Sequence, residues 1–439
     1  MPVVDMLEAY AQTDLVRFHM PGHKGTLAFP AAWDVTEVWG TDDLHAPEGA
    51  IWEAQVLAAQ AFGAARTWFL VNGSSCGVMA MLLALPKDRP VLVARDCHKA
   101  ALHGLVLSGL RPVWILPGDL TAPQVLEKML KTHKASALLM TRPDYYGRCS
   151  DIAAIAQRVH AQGARLLVDE AHGAHFAFSP LLPVSAAAYA DAWVQSAHKT
   201  LPALTQSAYL HVSEYGRAFQ EQLAQACVML QSSSPSYMLM AGLDYARAHM
   251  QAQGADALAA LVAACKTFEA HTPGAWASDG VTRDPTRLVV ETGDGWACER
   301  WLRGQGIQVE MADHRRVVAI ATVCDPLAHI ALLSKRMAQW QAMQQRAYDT
   351  AQENALACPP IPEAQMTPRE AAFASHRRVP LAAAAGRVCA VALGCYPPGI
   401  PAVMPGERIP KETVEQLTTA QAQSARLFGV RDGLVEIVG

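Results

Sequence analysis

Between about residues 65 and 230 the chain alternates short apolar runs with longer stretches of helical periodicity, and this alternation leaves few folds open. The runs are WFLV (Trp68 to Val71), VLVA (Val91 to Ala94), PVWIL (Pro112 to Leu116), SALLM (Ser136 to Met140), RLLV (Arg165 to Val168), AWVQS (Ala192 to Ser196) and AYLHV (Ala208 to Val212), bounded by Gly, Pro, Asp or Asn. Strands that are apolar along their whole length are covered on both faces. They predict an α/β architecture: a mostly parallel seven-stranded sheet with helices on both faces. Such sheets gather ligands beyond the carboxyl ends of their strands.

Two reactive residues stand at those ends. Asp169 closes the run in LLVDEAH (Leu166 to His172), and Lys199 follows the next run in SAHKT (Ser196 to Thr200). An acid and an amine in those places suit pyridoxal phosphate (PLP): a lysine amine holds the cofactor aldehyde, and a buried carboxylate keeps the pyridine nitrogen protonated so that the ring accepts electrons. Each residue also has a plain reading, the lysine as a solvated side chain and the aspartate as a turn cap. NGSSCG (Asn72 to Gly77) lies between a strand and a helical run. Its backbone N–H groups and the Ser74 and Ser75 hydroxyls form either an ordinary helix start or a phosphate cradle, and beside Lys199 the cradle is preferred. Ser196 and His198 would add donors to the same phosphate. In DCHKA (Asp96 to Ala100) the ring of His98 can stack on a pyridine face; its alternative is an exposed histidine at a helix start.

Past residue 230 the pattern changes. A helical stretch from Met238 to about Ala270 leads to LVVET (Leu288 to Thr292), a helix near Ala297 to Gly304, VVAIATV (Val317 to Val323) and a helix to about Arg346, which together read as an α+β unit. Ala355 to Pro362 is Pro-rich and reads as a linker, and a last helix begins near Lys411. The expected division is an arm over 1–50, a large cofactor-binding domain over 51–270, a small α+β domain over 271–355 and a C-terminal domain over 356–439. A chain of 439 residues, 51% hydrophobic, can bury cores of that number. Its net charge of −4 provides no basic stripe, so neither nucleic acid nor an acidic membrane surface is an expected partner. The ten cysteines contain no CxxC pair and read as reduced thiols. Asp5 and Glu8 precede any apolar run, which argues against a signal peptide, and Ala257 to Cys265 is too short to span a bilayer; the expected location is cytoplasmic. His172 and His175 have no third ligand in view, so no metal is expected.

At this point the chain resembles the bacterial ornithine/lysine/arginine decarboxylases, PLP-dependent enzymes with the fold of aspartate aminotransferase (fold type I), and in particular their short form without a receiver-like N-terminal domain. The likeness runs through FHMPGHKG (Phe18 to Gly25), TDDLHAPEGAI (Thr41 to Ile51), NGSSCG, DCHKA, LLVDEAHGAH (Leu166 to His175), SAHKTLPALTQSAYLH (Ser196 to His211), SSSPSYMLMAGLD (Ser232 to Asp244), TPREAAFAS (Thr367 to Ser375) and YPPGIPAVMPGE (Tyr396 to Glu407). The resemblance implies that Lys199 carries PLP, Asp169 pairs with the pyridinium, His98 stacks on the ring and Ser74 to Cys76 belong to the phosphate site. It implies further that Ala171 lies against the cofactor, with His172 near its substituents or the substrate. Lys199 or His172 would return the proton to Cα. The reaction implied is decarboxylation of a basic amino acid, arginine first, then lysine or ornithine, in a homodimer or higher homo-oligomer whose site lies between subunits.

For the substrate's basic end, Asp42, Asp43, His45 and Glu48 supply charge of the right sign, either as substrate contacts, in this subunit or a neighbour, or as a capped loop. Three departures bear on the site. Arg142, Pro143, Asp144 and Tyr145 stand where relatives often read Asn-Pro-Thr-Tyr, which suggests an altered polar contact near the cofactor. Cys76 replaces a hydroxyl, leaving its backbone N–H as the dependable donor. Leu201 and Pro202 replace a Gly pair found in some members. Among rival readings, DEAH (Asp169 to His172) also spells a helicase ATPase box, but the chain has no Gly-Lys pair for the phosphate loop that box requires. A transaminase, another PLP lyase or a racemase would use the same cofactor contacts, and a degenerate homologue is a further alternative.

Overall fold

All seven predicted strands are present in one sheet, and their alternating side chains divide two cores. The computed structural model describes residues 14, 16–18, 37, 41–276, 282–344, 361–396, 400–422 and 426–439. The segment after Phe18 in FHMPGHKG, most of the proposed linker and residues 397–399 lie outside the described residues. The strands are β1 (Arg66–Leu70), β2 (Val91–Ala94), β3 (Pro112–Ile115), β4 (Ala137–Thr141), β5 (Arg165–Asp169), β6 (Ala192–Ser196) and β7 (Ala208–Val212). They lie side by side in the order β1-β7-β6-β5-β4-β2-β3. The pairs from β3 through β6 are parallel, and only β7 runs antiparallel to both its neighbours.

Successive strand residues point to opposite faces. Val91, Val93, Leu139, Leu167 and Val194 therefore enter one core, with Cys76, Val78 and Met81 of the helix Gly73–Leu83. Leu92, Ala94, Leu138, Met140, Leu166, Val168 and Trp193 enter the other. This parity positions the site. Asp169 and Ser196 share the phase of Leu167 and Val194, so they emerge on the face that the helix Gly73–Leu83 covers. Glu170 and Arg142 have the opposite phase. The helix lies close to the sheet because Gly77 has no side chain: a Cβ there would sit 2.5 Å from Val194 Cγ2.

A smaller antiparallel sheet joins Met311–Ala312, Arg316–Ile320 and Arg287–Glu291, flanked by the helices Gly295–Gly304 and Leu327–Gln344. The 35-residue helix Tyr237–His271, capped by Ser236, leads the chain from the large sheet to this unit. The C-terminal region forms two further three-stranded sheets, one of His376–Pro380, Leu434–Val438 and Val430–Arg431, the other of Pro401–Val403, Leu393–Tyr396 and Arg426–Phe428. They share a core of Leu381, Leu393, Val403, Ile409, Leu417 and Ile437. No helix among the described residues is long and apolar enough to cross a membrane.

One buried ion pair ties this last region to the large sheet. Arg95, directly after β2, donates to Glu407 Oε1 and Oε2 at 2.6 and 2.7 Å and to the Ala402 carbonyl at 3.0 Å, and the Met404 N–H donates to Glu407 Oε2 at 2.7 Å. Both charged side chains are almost fully enclosed. Removing one partner strands the other charge away from water. Glu407→Ala should therefore lower the free energy of unfolding by roughly 3–5 kcal/mol, read by denaturant and thermal unfolding. A loss within the range of an ordinary surface substitution would show that the pair does not hold the two regions together.

Candidate active site

Three parallel strand ends assemble the site: Thr141 of β4 is in register with Asp169 of β5, and Asp169 with Val194 of β6. Lys199 follows at once in the four-residue helix Ala197–Thr200. Asp169 is buried, and among the described residues its carboxylate takes a single hydrogen bond, from the Ala171 N–H to Oδ1 at 3.1 Å. Burial pushes its pKa up, opposed by the positive charge of Lys199 and by that N–H. A buried carboxylate with so few donors is matched to a cation facing it, such as a protonated pyridine nitrogen.

Lys199 sits among opposing influences. Burial lowers its pKa, the negative charges of Asp169 and Glu310 raise it, and Arg287 lowers it. Its Nζ is 3.0 Å from His172 Nε2, and His172 Nδ1 is 2.8 Å from Arg287 Nη2. His172 is buried, with its pKa well below the usual histidine range because of that burial and the positive charges of Lys199 and Arg287. Tyr145 meets the His172 ring edge-on at 5.2 Å and donates its hydroxyl proton to Glu310 at 2.7 Å.

The candidate phosphate residues converge at the start of the helix Gly73–Leu83. Ser196 Oγ donates to Ser74 Oγ at 2.7 Å, so the end of β6 and the helix start share one polar spot. Ser75 is half-buried beside it. Cys76 is fully buried in the apolar core, and burial pushes its thiol up to about 12. His198 Nδ1 is 3.0 Å from the Ser207 carbonyl and must donate to it. A neutral His198 then offers only a lone pair at Nε2, so it can donate to a phosphate only when doubly protonated. His98 caps the helix Lys99–Ser108, its Nδ1 accepting from the Ala100 N–H. The residue keeps an exposed side, yet the protein atoms packed around the ring and the charge of Lys199 pull its pKa down to about 4. It is a neutral ring above about pH 5, as stacking on a cationic heterocycle favours.

The remaining sequence candidates behave differently. Asp42 accepts from the N–H groups of Asp43, Glu48, Gly49, Ile51 and Trp52, which favours the capped-loop alternative for this residue. Asp43 Oδ1 accepts from the His45 N–H, and His45 Nε2 lies 2.7 Å from the Ser232 carbonyl. Glu48 is exposed. The Arg142 departure is not a contact on the Asp169 face. Its guanidinium is buried on the opposite face, donating to the Ser150 and Val184 carbonyls 3.8 Å from Glu170. Three residues of the cluster escaped sequence reasoning: Arg287, Glu310 and the orienting role of Tyr145. A charged residue immediately before LVVET was the one available signal for Arg287. His175, weighed above as a metal ligand, instead bonds Asp284 and Thr286.

Comparison with known proteins agrees with this fold. The family model for the Orn/Lys/Arg decarboxylase major domain matches residues 1–276, and that for the Orn/Lys/Arg decarboxylase C-terminal domain matches residues 348–432. The uncharacterized protein YaaO of Bacillus subtilis is 35% identical over 98% of this chain and 96% of its own length. The arginine decarboxylase of the same organism is 31% identical over 95% of this chain and 92% of its own length. Among solved structures, lysine decarboxylase A from Pseudomonas aeruginosa superposes with a TM-score of 0.79 at 20% identity, covering 92% of this chain and 74% of that one.

The state of Cys76 can be checked directly. With its pKa near 12 the thiol stays protonated at neutral pH. Native protein treated with iodoacetamide at about pH 8 should leave the Cys76 peptide unmodified by mass spectrometry, and denatured protein should modify it fully. Rapid native alkylation would place a reactive thiolate at the helix start and undo the reading of Cys76 as a core residue.

Proposed function

The chain belongs to the Orn/Lys/Arg decarboxylase family, and from that membership we propose that it removes the α-carboxylate of a basic amino acid, arginine before lysine or ornithine, as a PLP-dependent carboxy-lyase with the cofactor held on Lys199. The fold is fold type I of the PLP-dependent enzymes. The observation that carries the proposal is the placement of a buried carboxylate, Asp169, and a half-buried amine, Lys199, at adjacent strand ends.

Bound there, PLP supplies an electron sink for the bond broken at Cα. The chain's own residues then have distinct tasks. Asp169 opposes loss of the pyridine proton, because an adjacent anion favours the cationic ring. His98, neutral at working pH, covers one face of that ring. Ser74, Ser75, Ser196 and the backbone N–H groups at the start of the helix Gly73–Leu83, Cys76 included, present donors to the phosphate, joined by His198 in its cationic form. Ala171, buried and small, leaves room for the ring against β5. Lys199 or His172 returns a proton to Cα, and both lie within one hydrogen bond of each other.

Of the acidic residues read as contacts for the substrate's basic end, Glu48 and the second carboxylate oxygen of Asp43 are the ones we retain, serving this or a neighbouring subunit. A cytoplasmic homodimer working in polyamine biosynthesis completes the proposal; the balanced net charge and near-neutral pI of about 6.5 support that role over one in acid.

Purified protein incubated separately with arginine, lysine and ornithine should release carbon dioxide and the matching amine from at least one, with arginine fastest. Lys199→Ala should abolish turnover. Asp169→Asn should keep the cofactor but lose about 100-fold or more in rate, since an amide cannot hold the ring proton. Formation of a keto acid that depends on an added acceptor, with no carbon dioxide released, would replace the decarboxylase with a transaminase.

A further inference from the structure

Arg287 heads a strand of the smaller sheet, yet its side chain is only 1% exposed and turns toward the large domain. Gly147, at φ +85°, allows this approach: a Cβ at that position would stand 2.7 Å from Arg287 Cβ. The guanidinium ends against His172, Nη2 to Nδ1 at 2.8 Å, and the far nitrogen of the same imidazole, Nε2, is 3.0 Å from Lys199 Nζ. Donor and acceptor logic then runs one way. A guanidinium offers only donors. His172 Nδ1 must therefore accept and carries no proton, which leaves the ring's single proton on Nε2. An Nε2–H group can bond to a lysine nitrogen only if that nitrogen has a lone pair, and an ammonium has none.

We infer that Arg287 is a positioning residue for this lysine: by donating to His172 Nδ1 it fixes the imidazole with its proton on Nε2, and that N–H holds the Lys199 amine as a neutral acceptor. The inference deepens the reading of Lys199 as the PLP-binding residue and rests on it, because the neutral amine is the form that attacks a carbonyl and accepts a proton.

The surroundings act in the same sense. His172 is pressed toward neutrality first by burial, with the fixed positive charge of Arg287 acting in the same sense. Lys199 is lowered by burial and by Arg287, against the anions Asp169 from β5 and Glu310 from the smaller unit. Among the described residues Arg287 has no ion pair to explain its burial: its Nε and Nη1 have no hydrogen-bond partner there, and its one side-chain hydrogen bond goes to His172.

The test is the titration of the Lys199 amine in the full-length chain freed of PLP. Competitive acylation across a pH series, read by mass spectrometry on the peptide containing Lys199, measures the amine without any turnover. Wild type should titrate below the ordinary lysine range. Arg287→Met frees Nδ1, allows the proton to move there and lets an ammonium donate to Nε2. Its midpoint should rise by about one pH unit or more, a roughly tenfold loss of labelling near neutrality. Arg287→Lys, which keeps a donor, should return most of the way to wild type.

Loss of a positive charge alone would also raise the midpoint, so Arg287→Met is repeated in a His172→Phe background, where only a minor part of the rise should survive. An equal rise with and without His172 overturns the proposal, as does an unmoved midpoint in a folded Arg287→Met protein. Where circular dichroism shows that Arg287→Met does not fold, nitrogen-15 spectra of labelled histidine in the wild type decide: a protonated Nε2 on His172 sustains the inference and a protonated Nδ1 ends it. Failure of the decarboxylase reading looks different, with no amine or carbon dioxide produced while the Lys199 titration stays as described.

Discussion

Two opposed electrostatic influences meet at Lys199. An amine withdrawn from water prefers to lose its proton, and an anion beside it prefers the proton kept. Lys199 is subject to both influences, burial with Arg287 on one side and Asp169 with Glu310 on the other. Such a balance requires several elements to be fixed at once. The parallel strands β4, β5 and β6 supply that rigidity: backbone hydrogen bonds hold their ends level, and dense apolar layers enclose them on both faces.

The second support is the charge on the opposite face. Glu170, one residue after Asp169, is fully buried and accepts from Ser185 Oγ, the Ala186 N–H and Gln195 Nε2 at 2.7 to 2.9 Å, with Arg142 at 3.8 Å. Two adjacent acids thus serve two faces of one strand end. Glu170 fastens the loop after β5 to β6 and to the Ser185 turn, and so fixes the backbone from which Asp169 projects. The site acid carries few hydrogen bonds while its neighbour is saturated with donors. Chemistry needs the first condition and anchoring needs the second.

Much of this was legible in the residues because period-two alternation is a local property. All seven strands lie where their apolar runs stand, with shifts of one or two residues at some of their ends, and the same alternation places Asp169 and Ser196 on one face. The helices Tyr237–His271 and Lys411–Ala422 also fall close to their periodic patterns. Less legible were the two C-terminal sheets. Their strands are two to five residues long, one has a register shift at Leu393/Gly394, and exposed positions such as His376 to Arg378 hide any apolar run. Arg287 and Glu310 were missed for another reason. Each reaches Lys199 from a separate sheet across a long sequence interval, and no local pattern carries that contact. Asp42 shows the converse: its charge left a substrate contact and a capped loop both open, and five backbone N–H groups nearby favour the loop.

The division of the site between two sheets has a chemical consequence. Asp169, His172 and Lys199 belong to the large sheet, whereas Arg287 and Glu310, which act on Lys199 with opposite sign, belong to the smaller unit. Two hydroxyl bonds, Tyr145 to Glu310 and Tyr146 to Asp313, each 2.7 Å, join the units beside the site. Separation of the units would remove a cation and an anion together, so the net field at Lys199 would change less than the loss of either alone. The directional effect would not cancel: of these two residues it is Arg287 that bonds to His172, and with it would go the fixed proton on Nε2. The docking of the smaller unit therefore acts on the reactive amine mainly through the orientation of one imidazole, and only secondarily through charge.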